Sequence, residues 1–206
     1  MAKAAGDFAF NFGGAVATIY GAGGLVKGGA SALKSLLSKG GCFEAGTLVA
    51  MADGSTNPIE QLKAGMVVAS RDPVSGVSHQ KRVLKTFKHI VNEIFQVQLA
   101  DAKGKVVETI RGTAIHPFFT KRGLVNMAHL TVGVEVISRR GPPLTVKSIR
   151  RKAYPEGVVV YNLEVEGDHT YFVGTANGGA WVHNGGPCDV PWITPGSLAS
   201  SEGATV

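Results

Sequence analysis

From Thr47 onward the chain is a succession of short runs rich in Val, Ile, Thr and Phe, each closed by turn residues. The runs include "MVVAS", "QKRVLKTF", "IFQVQLA", "KVVETI", "EVIS", "LTVKSI", "VVVYNLEV" and "TYFV". Runs of this length and composition, bounded by Gly, Pro, Asn and Asp, form strands rather than helices, and so many in series define an all-β domain. Asn177-Gly178, between "TYFVGT" and "AWVHN", supplies a hairpin turn. Gly46 supplies a turn before the first of these strands. The flanks read differently. Residues 1–41 are a Gly/Ala-rich leader, in which Leu33, Leu36 and Leu37 stand at helical spacing ahead of a Gly40-Gly41 stop. Residues 185–206 are Gly-, Pro- and Ser-rich and read as the start of a downstream module. The organisation is therefore a leader (1–41), a β domain (42–184) and a C-terminal flank (185–206).

The β domain repeats itself. "LKAGMVV" (62–68) matches "LTVGVEV" (130–136) as Leu-x-x-Gly-x-x-Val, and "FQVQL" (95–99) matches "YNLEV" (161–165). "HPFF" (116–119) then matches "HTYF" (169–172). Three matches in the same order imply a duplicated β unit with a pseudo-two-fold axis. That arrangement puts His116 and His169 at corresponding places and sets the first and last strands of the domain side by side.

Composition removes several function classes. With 44% hydrophobic and 17% charged residues the chain is globular. The net charge of +6 comes from dispersed Lys and Arg with short clusters at Lys121-Arg122, Arg139-Arg140 and Arg150-Arg151-Lys152. No aromatic residues interleave with them regularly, so they read as solvated strand faces and turns, and no nucleic-acid partner is expected. Two cysteines, Cys42 and Cys188, lack the spacing of a zinc site. No metal or cofactor is expected. Phe8 to Val26 is apolar but broken by Asn11 and repeated Gly, so neither a membrane span nor a signal peptide is expected there.

The chemistry-bearing residues stand at the two junctions. A thiol at the first residue of a domain can attack the carbonyl before it, turning the Gly41–Cys42 amide into a thioester, given a donor for the departing nitrogen. Histidine suits that task because its ordinary pKa lies near neutrality. At the far end, "VHNGG" places Asn184 before Gly185. An asparagine side chain can attack its own carbonyl, cleave the following bond and leave a succinimide. His183 is adjacent, and His169 lies at the end of the preceding strand.

As an ordered set, "CFEAGTLV", "IEQLKAG", "TAIHPFF", "VYNLEVEGDHTYFV" and "VHN" resemble the Hint domain shared by inteins, bacterial intein-like elements and hedgehog-type autoprocessing domains. The resemblance covers about residues 42–184. It is nearest to the bacterial Hint domains that precede toxin modules in large secreted or cell-surface proteins, and it implies that setting here. It also implies that Cys42 is the nucleophile, that Thr113 and His116 of a Thr-x-x-His motif assist the acyl shift, and that His169 and His183 assist Asn184. The partners are then the domain's own flanks in cis.

Two departures from the family pattern bear on the outcome. Asn162 stands where many inteins carry an aspartate, which bears on coupling between the two cleavages. Gly185 stands where a splicing intein carries Cys, Ser or Thr, so cleavage without ligation is the expected product. An alternative is a silent β scaffold whose ends are joined by a Cys42–Cys188 disulfide. His79, His89 and His129 have no motif around them and read as surface or structural residues, and Asp168 reads as turn chemistry.

Overall fold

The structure, a computed structural model, describes residues 41–184 and two short N-terminal strands, β1 (Asn11–Phe12) and β2 (Ala15–Val16), which pair only with each other. The helix expected around Leu33, the residues from Gly185 on and Cys188 lie outside the described residues. The β domain begins with β3 (Phe43–Glu44), β4 (Leu48–Ala50), β5 (Thr56–Pro58), β6 (Val67–Arg71) and the long β7 (Ser78–Ala100). It continues with β8 (Val106–Gly112), β9 (Pro117–Thr120), β10 (Gly123–Asn126), β11 (Glu135–Val136) and the long β12 (Leu144–Val165). It closes with β13 (Thr170–Val173) and β14 (Ala180–His183). These twelve strands form one antiparallel sheet in the order β5-β4-β13-β14-β9-β11-β12-β3-β8-β7-β6, with β10 on β9 and a second seam between β12 and β7.

The long strands join runs that look separate in sequence. "QKRVLKTF" and "IFQVQLA" are one strand, because the intervening His89, Ile90, Val91 and Glu93 pair against β12 and Asn92 makes no turn there. "LTVKSI" and "VVVYNLEV" are likewise one strand. Pro155 and Gly157, which punctuate the sequence, fall where the register slips between Ala153 and Val158. A bulge is where a strand tolerates a residue without an N–H and a glycine at positive φ, here +79°.

The duplication is explicit in the hydrogen bonds. Gly65 N donates to Val83 O at 2.8 Å, and Gly133 N donates to Val146 O at 2.9 Å. Met66 O accepts from Val83 N and Val134 O from Val146 N, both at 2.8 Å. Ala52 N donates to Val67 O and Lys121 N to Glu135 O, both at 3.1 Å. The bridge Met51↔Val68 repeats as Val136↔Thr120. A 3-10 turn precedes each Leu-x-x-Gly-x-x-Val segment, at Ile59–Gln61 and Met127–His129. The second match also holds: Phe95 faces Gly112 as Tyr161 faces Phe43.

The third match does not survive. His116 is the counterpart of Thr47, since His116 N donates to Thr113 O and Thr47 N to Glu44 O, while Met127 N and Ile59 N donate back to His116 O and Thr47 O at 2.8 Å. β13, which follows His169, is instead the counterpart of β14: Val173 pairs with Val49 of β4 as Val182 pairs with Phe118 of β9. "HPFF" and "HTYF" share composition because each is a histidine leading into a fully buried strand. Nor are the first and last strands neighbours. β3 pairs with β8 and β12, and β14 with β13 and β9. Two strand pairs, β3/β8 and β13/β14, join counterparts across the axis, and Cys42 and Asn184, which bound the β domain, stand at the ends of these pairs.

The core lies beneath this junction. Phe43 is fully buried, with its ring centroid 6.1 Å from Phe118 and 6.4 Å from Tyr171 in edge-on geometry. Leu62 and Leu130, and Val68 and Val136, occupy the same cluster, which is why the repeated positions are apolar.

Gly65 and Gly133 have φ near +90° and open space around their α-carbons. Alanine at either should therefore cost only its backbone strain, about 1–2 kcal/mol, and the two costs should agree. Urea denaturation of Gly65→Ala and Gly133→Ala tests this. A difference larger than either cost would break the equivalence of the two units.

Candidate active site

Antiparallel pairing brings the start of one strand to the end of its partner. Cys42, just before β3, thus meets Thr113, just after β8. Thr113 N donates to Cys42 O at 2.8 Å, and Cys42 N donates to Thr113 Oγ1 at 2.9 Å. The hydroxyl of Thr113 is therefore held on the nitrogen of the Gly41–Cys42 bond. Cys42 is buried beside Ile94 and Val160, and that burial pushes its thiol up to about 12. The thiol is protonated at neutral pH.

His116 follows in the same loop. It is fully buried, its ring 3.9 Å from that of Phe43, and neither ring nitrogen makes a hydrogen bond among the described residues. Burial lowers its pKa to about 3; the nearby Gly41 main chain favours the charged ring slightly, and His183 opposes it. A Cβ on Gly41 would fall into the His116 backbone and ring, so the residue before Cys42 must be glycine for His116 to sit here.

The second junction repeats the geometry. His169 precedes β13 and Asn184 follows β14, so Thr170 pairs with His183 and Asn184 N donates to His169 O at 2.8 Å. His169 adopts φ +53°, which turns its carbonyl toward Asn184, while its side chain is exposed. Asn184 is buried, and so is the His183 ring, whose Nδ1 has no hydrogen bond. Burial, then the neighbouring His169, lowers His183 to about 4. The two histidine rings are 6.4 Å apart.

A buried polar chain runs between the junctions. Tyr171 donates its hydroxyl to Asn162 Oδ1 at 3.0 Å, and Asn162 Nδ2 donates to Asn184 O at 3.4 Å. Asn162 lies on β12 next to Tyr161, which pairs with Phe43. Burial holds the Tyr171 phenol well above its ordinary pKa, with Cys42 adding to the rise, so it stays a donor.

Asp168 is more than a turn residue. It is buried and accepts from Ser70 Oγ at 3.1 Å, lies 2.8 Å from His79 Nδ1 and is paired with Lys81 Nζ at 3.4 Å. Ser70 Oγ also lies 2.8 Å from Thr170 O, sharing its one hydroxyl hydrogen between the two acceptors, so β6 and β7 anchor the loop that carries His169. His79 is a structural residue here. Its partner is remote in sequence, so no local motif marks it. Asp72, His79 and Asp168 have ligand atoms within 4.8 Å of one another. Their carboxylates are already engaged, Asp168 by Lys81 and Asp72 by the Val74 and Ser75 N–H groups. Among the described residues no helix is long and apolar enough to cross a membrane.

This fold and the pairing of its two ends define the Hint class, to which the self-processing inteins belong. The chain is a member of the pretoxin Hint domain family, whose model matches residues 48–185. It is similar to the bacterial intein-like domain from Clostridium thermocellum, at 34% identity and a TM-score of 0.62, covering 69% of this chain and 98% of that one. It is similar in fold to the DnaB intein from Synechocystis sp. PCC 6803, at 19% identity and TM-score 0.56, covering 70% of this chain and 99% of that one. The gp41-1 intein shares the fold at 21% identity and TM-score 0.55, with coverage of 71% and 100%. No curated protein matches the chain. The family and the fold associate the domain with self-processing.

His116 and His183 bind protons less readily folded than unfolded, where their pKa is near 6.5. The stability they contribute is thus complete above pH 6.5 and falls as the pH drops toward 4 and then 3. Two such groups give a slope of roughly 2–3 kcal/mol per pH unit near pH 5. Urea denaturation of a Cys42→Ala/Asn184→Ala chain, which stays intact, should show this loss between pH 6.5 and 5. Removing both rings as well should flatten it.

Proposed function

We propose that residues 42–184 cleave their own chain once, in cis, and release the C-terminal flank. Cys42 Sγ attacks the Gly41 carbonyl carbon; the bond to the Cys42 nitrogen breaks, and the thiol proton ends on that nitrogen. Thr113 holds the nitrogen, and the neutral His116 ring relays the proton. At the other end Asn184 Nδ2 attacks the Asn184 carbonyl carbon, the bond to Gly185 breaks, and a succinimide forms. One proton leaves Nδ2 and one reaches the Gly185 nitrogen, with His183 and His169 as the groups that carry them. Gly185 has no side chain to capture the thioester, so the flanks part without ligation. The flank released is a toxin module of a secreted or surface protein, in keeping with the pretoxin family.

The observation that carries this reading is the placing of Asn184. It is buried at the end of β14, tied to His169 O, beside a His183 ring with an unused nitrogen. The residues matched by the family model include Asn184 and Gly185, the two that flank the proposed C-terminal break. A purified chain should lose residues 185–206, and Asn184→Ala should keep them while melting like the parent. A tail still lost at that bond in Asn184→Ala rules out succinimide chemistry. An uncleaved parent carrying a Cys42–Cys188 disulfide favours the scaffold reading.

The N-terminal step has its own signature. Hydroxylamine should release residues 1–41, Cys42→Ala should abolish that release, and His116→Ala should slow it by about 10²–10⁴-fold. Because burial pushes the Cys42 thiol to about 12, the rate should keep climbing with pH from 7 to 9. A plateau near the ordinary thiol value would contradict the buried, protonated resting state.

A further inference from the structure

The Asn162 side chain sits in β12 with both ends of its amide used. Its Oδ1 accepts from Tyr171, which fixes which way the amide faces, and its Nδ2 then points at Asn184 O. That oxygen belongs to the carbonyl attacked when Asn184 cyclises. As Nδ2 of Asn184 adds to the carbonyl carbon, the C–O π pair moves onto this oxygen, and the negative charge remains there until the bond to Gly185 breaks. Asn162, Tyr171 and Asn184 are all buried, so water does not screen the interaction. A preoriented donor aimed at an oxygen where charge develops stabilises the transition state more than the ground state. The resting separation of 3.4 Å fits that role: the contact is long now and tightens as charge builds.

The geometry points to Asn162 as a catalytic residue of the C-terminal cleavage, donating to the oxyanion of Asn184, with Tyr171 as the positioning residue that orients its amide. This rests on the proposed cyclisation of Asn184. It also gives the asparagine at this position a task that a carboxylate cannot perform while ionised. An ionised aspartate there would repel the developing charge, and only its protonated form could donate. The site at the C-terminal junction thus has a donor of its own, separate from Thr113 and His116 at the N-terminal junction.

The test follows loss of residues 185–206 by intact mass, in the full chain, for the parent, Asn162→Ala, Asn162→Asp and Tyr171→Phe. Asn162→Ala should slow release by about 10²-fold, the usual effect of losing one oxyanion donor. Tyr171→Phe should slow it less. Asn162→Asp should be slow at neutral pH and recover as the pH falls and its carboxyl protonates, a profile the parent lacks. Cooperative urea unfolding shows that a slow variant is still folded. Parental release rates in Asn162→Ala, or an Asn162→Asp profile that runs parallel to the parent's, overturn the assignment while leaving Asn184 cyclisation standing. If Asn162→Ala does not fold, the Asn162→Asp profile alone decides. A parent that never breaks at Asn184–Gly185 overturns the cyclisation and this assignment together.

Discussion

The antiparallel ladder between β7 and β12 is the interaction on which the molecule is built. It pairs residues from Val83 to Ala100 with residues from Val165 to Thr145, strands separated in sequence by residues 101–143. Each long strand carries one repeat unit, so pairing them lays the two units against each other about an axis. Once that is done, β3 must meet β8, and β13 must meet β14, because each is the other's counterpart. The placing of the proposed site residues follows from the hydrogen-bond direction alone. In an antiparallel pair the residue before one strand faces the residue after the other. Cys42 thereby meets Thr113, and His169 meets Asn184.

Such a site forms far from water, and the ionisable groups respond in one direction. The Cys42 thiol is driven up and the His116 and His183 rings are driven down, all chiefly by burial. Every one of them is neutral at pH 7. The two nitrogens of the His116 ring make no hydrogen bond among the described residues, which costs stability, while the ring itself packs against Phe43.

The parts legible in sequence were those fixed by local chemistry. Leu62, Gly65 and Val68, and their counterparts Leu130, Gly133 and Val136, each need a buried side chain or a positive φ, so residue type records position. The strand character of residues 47–183 was equally plain. The long strands were read as pieces because Pro155 and Gly157 signal a turn whether the chain reverses or only bulges. Equating His116 with His169 failed because two buried aromatic strands can match in composition without matching in place. The Asp168–His79–Ser70 cluster and the Tyr171–Asn162–Asn184 chain join residues that only the fold brings together, and no spacing rule reveals them. Asn162 stood out only as a departure from a family pattern. Its partners explain what the departure accommodates.

Gly41 carries a consequence beyond the domain. The space a side chain would need at that position is occupied by His116, so the last residue of whatever precedes Cys42 is dictated by the domain and not by its host. An ancestor of this module could therefore be transplanted between unrelated polypeptides only where a glycine closed the upstream segment, or where one could be acquired. Portability of the module across hosts is thus limited, at this border, by a single missing methyl group.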